Sequence, residues 1–161
     1  MENYLMLNGK RIDLTAEQIE TLVGKKEKDP FERVEGETFF YIDVDGCVEA
    51  DEDCLTSFDN DYYAAGNYCT DKELMEQRAL HVILNQLLWR YSMQHGGREI
   101  DCLNNEIPAW YIRNEVGVLY AADWCGNCGI GEIAFRSEEA ADAAIEKIVN
   151  PFMEKHPEFR W

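Results

Sequence analysis

At three places along the chain, short runs of hydrophobic, aromatic and β-branched residues on either side of a turn signal predict β-hairpins. Residues 3–13 turn at Asn8-Gly9, residues 37–49 turn at Asp45-Gly46, and AWYIRNEVGVLYAADWC turns around 115–117. Asn-Gly and Asp-Gly pairs favour hairpin turns because they accept a positive φ. The segment EIAF, after the third hairpin, is typical of one further strand.

Two longer segments carry hydrophobic residues three or four positions apart, which predicts amphipathic helices. The first helix runs from about Asp71 to about Gln94 and stops at Gly96-Gly97. Thr70 is its predicted N-cap, and Glu73 completes a capping box. Its hydrophobic face comprises Ala79, Leu80, Ile83, Leu84, Leu87 and Tyr91, widened by Val82, Leu88 and Trp89.

The second long helix has Ser137 as its predicted N-cap. Its hydrophobic phase continues beyond Pro151, so a kinked helix is expected to reach about Lys155. A brief helix near the N-terminus is predicted after Thr15, with Gln18 completing another capping box.

These elements predict an α+β fold, with an antiparallel β-sheet packed against two main helices. Residues 1–30 form a small β-β-α appendage, and residues 31–161 form the main domain. The segments GNYCTDKELMEQRA and GEIAFRSEEAADAA each join strands to a helix, which suggests a duplicated β-β-(β)-α unit. The alternative is that every strand-to-helix junction selects similar capping residues.

The formal net charge is −17, from 32 acidic and 15 basic residues. A surface of this sign disfavours direct contact with nucleic acid or with anionic lipid. No hydrophobic run approaches the roughly 20 residues of a membrane span, and MENYLMLNGK does not resemble a signal peptide. We therefore expect a cytoplasmic protein with no membrane partner, whose charge serves either solubility or contact with a basic protein.

The acidity is concentrated between Glu35 and Asp71, where eleven acidic residues occur without a lysine or arginine. A duplex crossing a domain about 40 Å wide would present roughly 23 phosphates, a charge similar to that of the chain. The segment therefore suggests imitation of a nucleic acid. A calcium loop fits poorly, because Gly46 comes too early and a terminal Glu is missing. The candidate partner-binding residues are Asp43, Asp45, Glu49, Asp51, Glu52, Asp53, Asp59, Asp61, Tyr62 and Tyr63.

The segment WCGNCG places Cys125 and Cys128 at the spacing of a zinc knuckle. One knuckle supplies two ligands, and the other two would come from a histidine or from the remaining cysteines. A redox dithiol or a glycine-rich turn with incidental cysteines are the alternatives. We expect no cofactor, with zinc as the exception that this pair would allow.

No phosphate-binding loop, dinucleotide fingerprint, nucleophile elbow or zinc-protease motif occurs in the chain. The sequence therefore favours a non-enzymatic protein. A zinc-stabilised binding module is one alternative. A small enzyme or small-molecule-sequestering protein, with its site between sheet and helices, is another.

Four segments resemble small acidic proteins encoded by phages, prophages and plasmids of low-GC Gram-positive gut bacteria. They are FERVEGETFFYIDVDGCV, FDNDYYAAGNYCTDKELMEQRAL, LLWRYSMQHGG and FRSEEAADAAIEKIVNPFMEKHPEF. The resemblance covers residues 31–161 and brings no catalytic residues. It implies a mobile-element origin and action inside a bacterial host cell. By analogy it implies an inhibitor of host defence, of the anti-CRISPR kind, that blocks a basic nucleic-acid-binding groove of a host defence or regulatory protein.

Overall fold

The computed structural model describes residues 4–7, 10–15, 18, 29–97, 109–124 and 132–161. The strands are β1 (Tyr4–Leu7), β2 (Lys10–Asp13), β3 (Thr38–Ile42), β4 (Val48–Glu52), β5 (Ala109–Glu115) and β6 (Val118–Trp124). The helices are α1 (Ser57–Ala64), α2 (Lys72–Gln94), α3 (Glu138–Ala144) and α4 (Asn150–Lys155), with a π-helical turn (Ile145–Val149) between the last two. The predicted α+β class is confirmed.

The N-terminal residues form the predicted hairpin, in which β1 and β2 pair antiparallel. The capping box is also present: the Gln18 amide donates to the Thr15 hydroxyl, and the Thr15 amide donates to the Gln18 side chain. The Asn8-Gly9 turn and the rest of the brief helix lie outside the described residues.

Two hairpin-and-helix units share one connectivity. In the first, β3 pairs with β4, and Cys69 then bridges back to Phe40 before α2 begins. In the second, β5 pairs with β6, and Phe135 bridges back to Trp110 before α3 begins. Each unit therefore has a single bridging residue in place of a third strand before its helix, but in the first unit the helix α1 lies between β4 and that residue.

The strands do not join into the one continuous sheet that was expected. Within the described residues they form three separate two-stranded ladders. The hairpin β3–β4 contacts α2, and the hairpin β5–β6 contacts α3. Since each third strand is limited to one bridging residue, it offers too little backbone to carry the ladder from one unit to the next.

The predicted cap of α2 was wrong by one residue. Asp71 is the N-cap, and its carboxylate accepts the Leu74 amide at 3.1 Å. Thr70 is engaged elsewhere, because its amide and hydroxyl both donate to the Pro30 carbonyl. Thr70 therefore ties the segment before β3 to the start of the helix.

The C-terminal helix continues to Lys155, as predicted, with Ser137 as its N-cap. The residues before Pro151 form the π-helical turn, in which the Asn150 amide donates to the Ile145 carbonyl. A proline lacks an amide hydrogen and its ring crowds the preceding turn, so a widened turn accommodates it without ending the helix.

The main hydrophobic core lies between α2, the C-terminal helix and the segment that follows β6. The predicted face of α2 is largely confirmed, but Trp89 is wrong, because it is 56% exposed. The buried members of the core are Leu80, Leu84, Leu88, Phe135, Ala141, Ala144, Val149, Phe152 and Phe159.

The turn between β5 and β6 places a β-branched residue in an unfavourable conformation. Glu115 pairs with Val118, so Val116 and Gly117 form a two-residue loop with φ values of 52° and 84°. Positive φ at both positions is the pattern that favours Asn-Gly, and it is costly for valine. Val116 is fully exposed, so burial does not offset this cost.

We expect Val116→Asn to raise the free energy of unfolding by about 1 kcal/mol, because asparagine tolerates the left-handed conformation. Denaturant titration measures the change. Val44→Asn is the matched control, since Val44 is equally exposed but does not have a positive φ. A gain of the same size in both variants would attribute the effect to surface polarity and contradict the interpretation.

Candidate partner-binding surface

The acidic segment contains a helix that the sequence interpretation missed. Helix α1 begins after Thr56, whose hydroxyl accepts the Asp59 amide, and the Asp59 carboxylate accepts the Thr56 amide. The signal was the spacing T-x-x-D, in which aspartate replaces the usual glutamate or glutamine of a capping box. Among its aromatic residues, Tyr62 packs against Phe39 and Tyr41 of β3.

Asp53 is fully buried and is held by an arginine from before β3. Arg33 donates from Nε and Nη2 to the two Asp53 carboxylate oxygens, at 2.7 and 2.6 Å. The Tyr68 hydroxyl and the Leu55 amide donate to the same carboxylate at 3.0 Å each. The arrangement satisfies a buried charge from several directions, as a buried ion pair requires.

These contacts shift the pKa values of the Asp53 carboxyl and the Tyr68 hydroxyl. The Arg33 hydrogen bonds, helped by those from Leu55 and Tyr68, lower the pKa of Asp53 to about 2, although burial opposes this. Burial and the hydrogen bond to Asp53 raise the pKa of Tyr68 to about 12. Asp53 therefore stays ionised and Tyr68 stays protonated at neutral pH.

Three of the candidate partner-binding carboxylates have structural roles. Asp53 and Asp59 are buried, so they do not belong to the exposed surface. Asp43 accepts the amides of Asp45 and Cys47 within the loop between β3 and β4. This use of the Asp43 side chain explains the loop without a bound calcium ion.

The remaining acidic candidates are exposed. On β4, Glu49 lies opposite Tyr41 and Asp51 lies opposite Phe39, so these two carboxylates share the face of the hairpin that carries both aromatic rings. Burial raises the pKa of Tyr41, the neighbouring Tyr62 raises it further, and the charges of Asp51 and Glu49 add to the shift. The other exposed candidates are Asp45 in the loop, Glu52 at the end of β4 and Asp61 on α1.

Aromatic side chains connect this face of the hairpin to α1. The Tyr41 and Tyr62 rings lie 4.4 Å apart, and Phe58 meets Tyr62 edge-on at 5.1 Å. Tyr63 packs against Tyr68 at 5.5 Å. The outermost rings remain accessible, since Phe58 is 63% and Tyr63 is 47% exposed. We call the following residues the acidic–aromatic surface: Glu49, Asp51, Glu52, Phe58, Asp61, Tyr62 and Tyr63.

The proposed zinc ligands Cys125 and Cys128 lie outside the described residues. Among the described cysteines, Cys47 and Cys54 are exposed and Cys69 is buried, and all three are free thiols. No cluster of three or more metal-binding side chains occurs in the part of the chain that the structure describes. In the same part, no helix is long and hydrophobic enough to span a membrane.

Comparison with models of protein families, with curated proteins and with solved structures found no match for this chain.

The ion pair predicts how stability depends on pH. Because the pKa of Asp53 is lowered from 3.8 to about 2 on folding, its stabilising contribution is complete above about pH 5 and is lost as the pH falls toward 2. We expect the wild-type protein to lose on the order of 2 kcal/mol of unfolding free energy more than Asp53→Asn over this interval. Denaturant titrations at several pH values measure both proteins. If the unfolding free energy fell equally with pH in both proteins, the lowered pKa of Asp53 would be contradicted.

Proposed function

We propose that the acidic–aromatic surface binds a basic, nucleic-acid-binding groove of a partner protein and competes there with nucleic acid. The observation that carries this proposal is the combination of exposed carboxylates and exposed aromatic rings without a neighbouring cation in the sequence. Arg33 is the single basic residue from Asp29 to Asp71, and its guanidinium is occupied by Asp53. Within the described residues none of these exposed carboxylates is found in an ion pair, which leaves them available to an external partner.

The spacing of the negative charges supports a partner that binds the regularly spaced phosphates of a nucleic acid. Glu49 and Asp51 lie two residues apart on one strand, which separates them by about 7 Å along β4. One DNA strand carries a charge per 3.4 Å of axis, so the strand has about half that linear density. Glu52 and Asp61 add charge at the end of the strand and on α1, and the net charge of −17 accelerates encounter with a cationic partner.

The aromatic rings distinguish a binding surface from a merely solubilising one. Tyrosine and phenylalanine beside charged groups supply contact area whose burial stabilises interfaces. Phe58 exposes 63% of its surface next to Tyr62, although a burial-driven helix would turn such a ring inward. Solubility alone explains the carboxylates but not this exposed phenylalanine.

The cellular role follows from the resemblance to phage and plasmid proteins. A protein from a mobile element gains from inhibiting host proteins that bind its nucleic acid. We therefore propose a non-enzymatic inhibitor of a host defence or regulatory protein, acting inside the bacterial cell.

Two charge-reversal variants, one at the surface and one at a control site, test the proposal. The variant with Glu49→Lys, Asp51→Lys and Glu52→Lys is expected to lose its captured partners from a nuclease-treated lysate of a low-GC Gram-positive bacterium. The control carries Asp142→Lys, Glu146→Lys and Glu154→Lys, which are exposed residues of the C-terminal helix and change the net charge equally. Quantitative mass spectrometry compares the two at low and high salt, since screening weakens such contacts. Equal loss of captured partners in both variants would attribute the effect to net charge and contradict a specific role of the acidic–aromatic surface.

The captured protein must then compete with nucleic acid. Duplex DNA is expected to displace the purified partner from the wild-type protein, and Phe58→Ala is expected to weaken that complex at least tenfold. Leu74→Ala, at an exposed hydrophobic position on α2, is the control for loss of surface area. A complex that duplex DNA does not displace would contradict imitation of nucleic acid.

A further inference from the structure

The outer edge of β4 offers backbone groups to a partner, in addition to the side chains of the acidic–aromatic surface. Strand β3 is paired on both sides, with β4 on one side and with Cys69 on the other. In the part of the chain that the structure describes, no strand lies beside the other side of β4. Val48 is half-buried and the rest of the strand is exposed, so this edge is open to solvent.

The bonding of β3 determines which backbone groups of β4 point outward. The amide of Phe40 donates to the Cys69 carbonyl, and its carbonyl accepts the Cys69 amide, so the backbone of Phe40 faces away from β4. Ala50 lies opposite Phe40. Because bonded and non-bonded pairs alternate along an antiparallel ladder, the amides and carbonyls of Ala50 and of Val48, two positions earlier, point outward.

These outward groups can bond to an added strand. Glu52 also turns outward, but its amide already donates to the Asp51 carboxylate at 2.8 Å. The amides of Val48 and Ala50 have no such partner among the described residues. An extended segment beside β4 accepts both bonds and donates to the carbonyls of the same two residues, which is the pattern of β-strand addition.

The side chains of β4 select the charge of the segment that can pair there. Glu49 and Asp51 lie on the face of the hairpin that carries the aromatic rings, whereas Val48, Ala50 and Glu52 lie on the opposite face. A residue directly opposite a carboxylate stabilises the pairing if it is basic and destabilises it if it is acidic. Lysine or arginine at alternate positions therefore fits Glu49 and Asp51, with a small or hydrophobic residue between them opposite Ala50.

The same charges disfavour a second copy of this chain as the occupant. Two antiparallel β4 strands centred on Ala50 would place Glu49 of each copy opposite Asp51 of the other, so both pairs of carboxylates would repel. The net charge of −17 adds to this repulsion. Charge complementarity favours a basic segment instead, and the disordered basic arms of nucleic-acid-binding proteins have this character.

We propose that β4 pairs with an extended basic arm of the partner protein, with lysine or arginine opposite Glu49 and Asp51. This inference rests on the proposed function, because it names the partner element that the acidic–aromatic surface binds. The backbone bonds give the contact its register, and the carboxylates restrict it to basic segments.

Two isomeric peptides distinguish strand addition from simple charge attraction. Both are Val-Lys-Val-Lys-Val with acetylated and amidated ends, so that the lysines lie opposite Glu49 and Asp51 and the middle valine lies opposite Ala50. One isomer carries a methyl group on the nitrogen of the middle valine, which faces β4. The other carries it on the second lysine, whose nitrogen faces away, so the two isomers share charge and composition.

NMR titration of the full chain at low salt is expected to show about three- to tenfold tighter binding of the lysine-methylated isomer, because the other isomer lacks one hydrogen bond to β4. The amides of Val48 and Ala50 are expected to shift more than those of Glu49 and Asp51, which point toward β3. Ala50→Pro removes an outward amide that β3 does not use, and it is expected to weaken the lysine-methylated isomer by a similar factor.

Equal affinity of the two isomers for the wild-type protein, or absence of shifts at millimolar peptide, would overturn strand addition. Shifts of the Val48 and Ala50 amides that grow with protein concentration without peptide would assign the edge to a second copy and also contradict the proposal. Capture from the lysate tests the proposed function independently, since it does not depend on backbone pairing. A partner captured through the acidic–aromatic surface, together with equal affinity of the isomers, would therefore overturn this inference alone.

Discussion

The ion pair between Arg33 and Asp53 is the interaction on which the unit formed by β3, β4 and α1 depends. It joins the segment before β3 to the end of β4, where the Asp53 amide and carbonyl also bond to Glu37 and Gly36. Through the same carboxylate it fixes Leu55, whose φ of 54° is unusual for a residue other than glycine. One cation thus determines how the chain passes from the hairpin into α1.

This pair also explains how so many carboxylates can occur close together. Two of them, Asp53 and Asp59, are turned inward and neutralised or hydrogen-bonded, so they stabilise the segment that their neighbours would destabilise by repulsion. The carboxylates of the acidic–aromatic surface can then remain exposed without forming part of the fold. We expect changes at Asp53 to lower the free energy of unfolding more than changes at Asp51 or Glu52, because only Asp53 is buried and paired with Arg33.

Patterns among neighbouring residues predicted most of the helices and strands. They could not predict contacts between residues that are far apart in the sequence. Capping at Ser137 and the continuation past Pro151 follow from neighbouring residues, so the sequence contained them. The burial of Asp53 depends on an arginine twenty positions away, and nothing in the run of acidic residues separates it from Asp51. A lone arginine just before the acidic segment was the available signal. A pocket lined by α2, β5, residues 132–135 and the C-terminal residues brings together four distant segments, and no periodicity reports such an arrangement.

The two units show how one connectivity can present different surfaces. In each, the bridging residue lies two positions before the helix cap, as Cys69 precedes Asp71 and Phe135 precedes Ser137. Since the bridge occupies the outer side of β3, the other strand of that hairpin is left as the edge within the described residues. Strand edges invite pairing with other chains unless charged side chains prevent it. The carboxylates of β4 therefore protect an edge that the fold itself creates, and the same protection leaves a charged strand accessible to a basic partner.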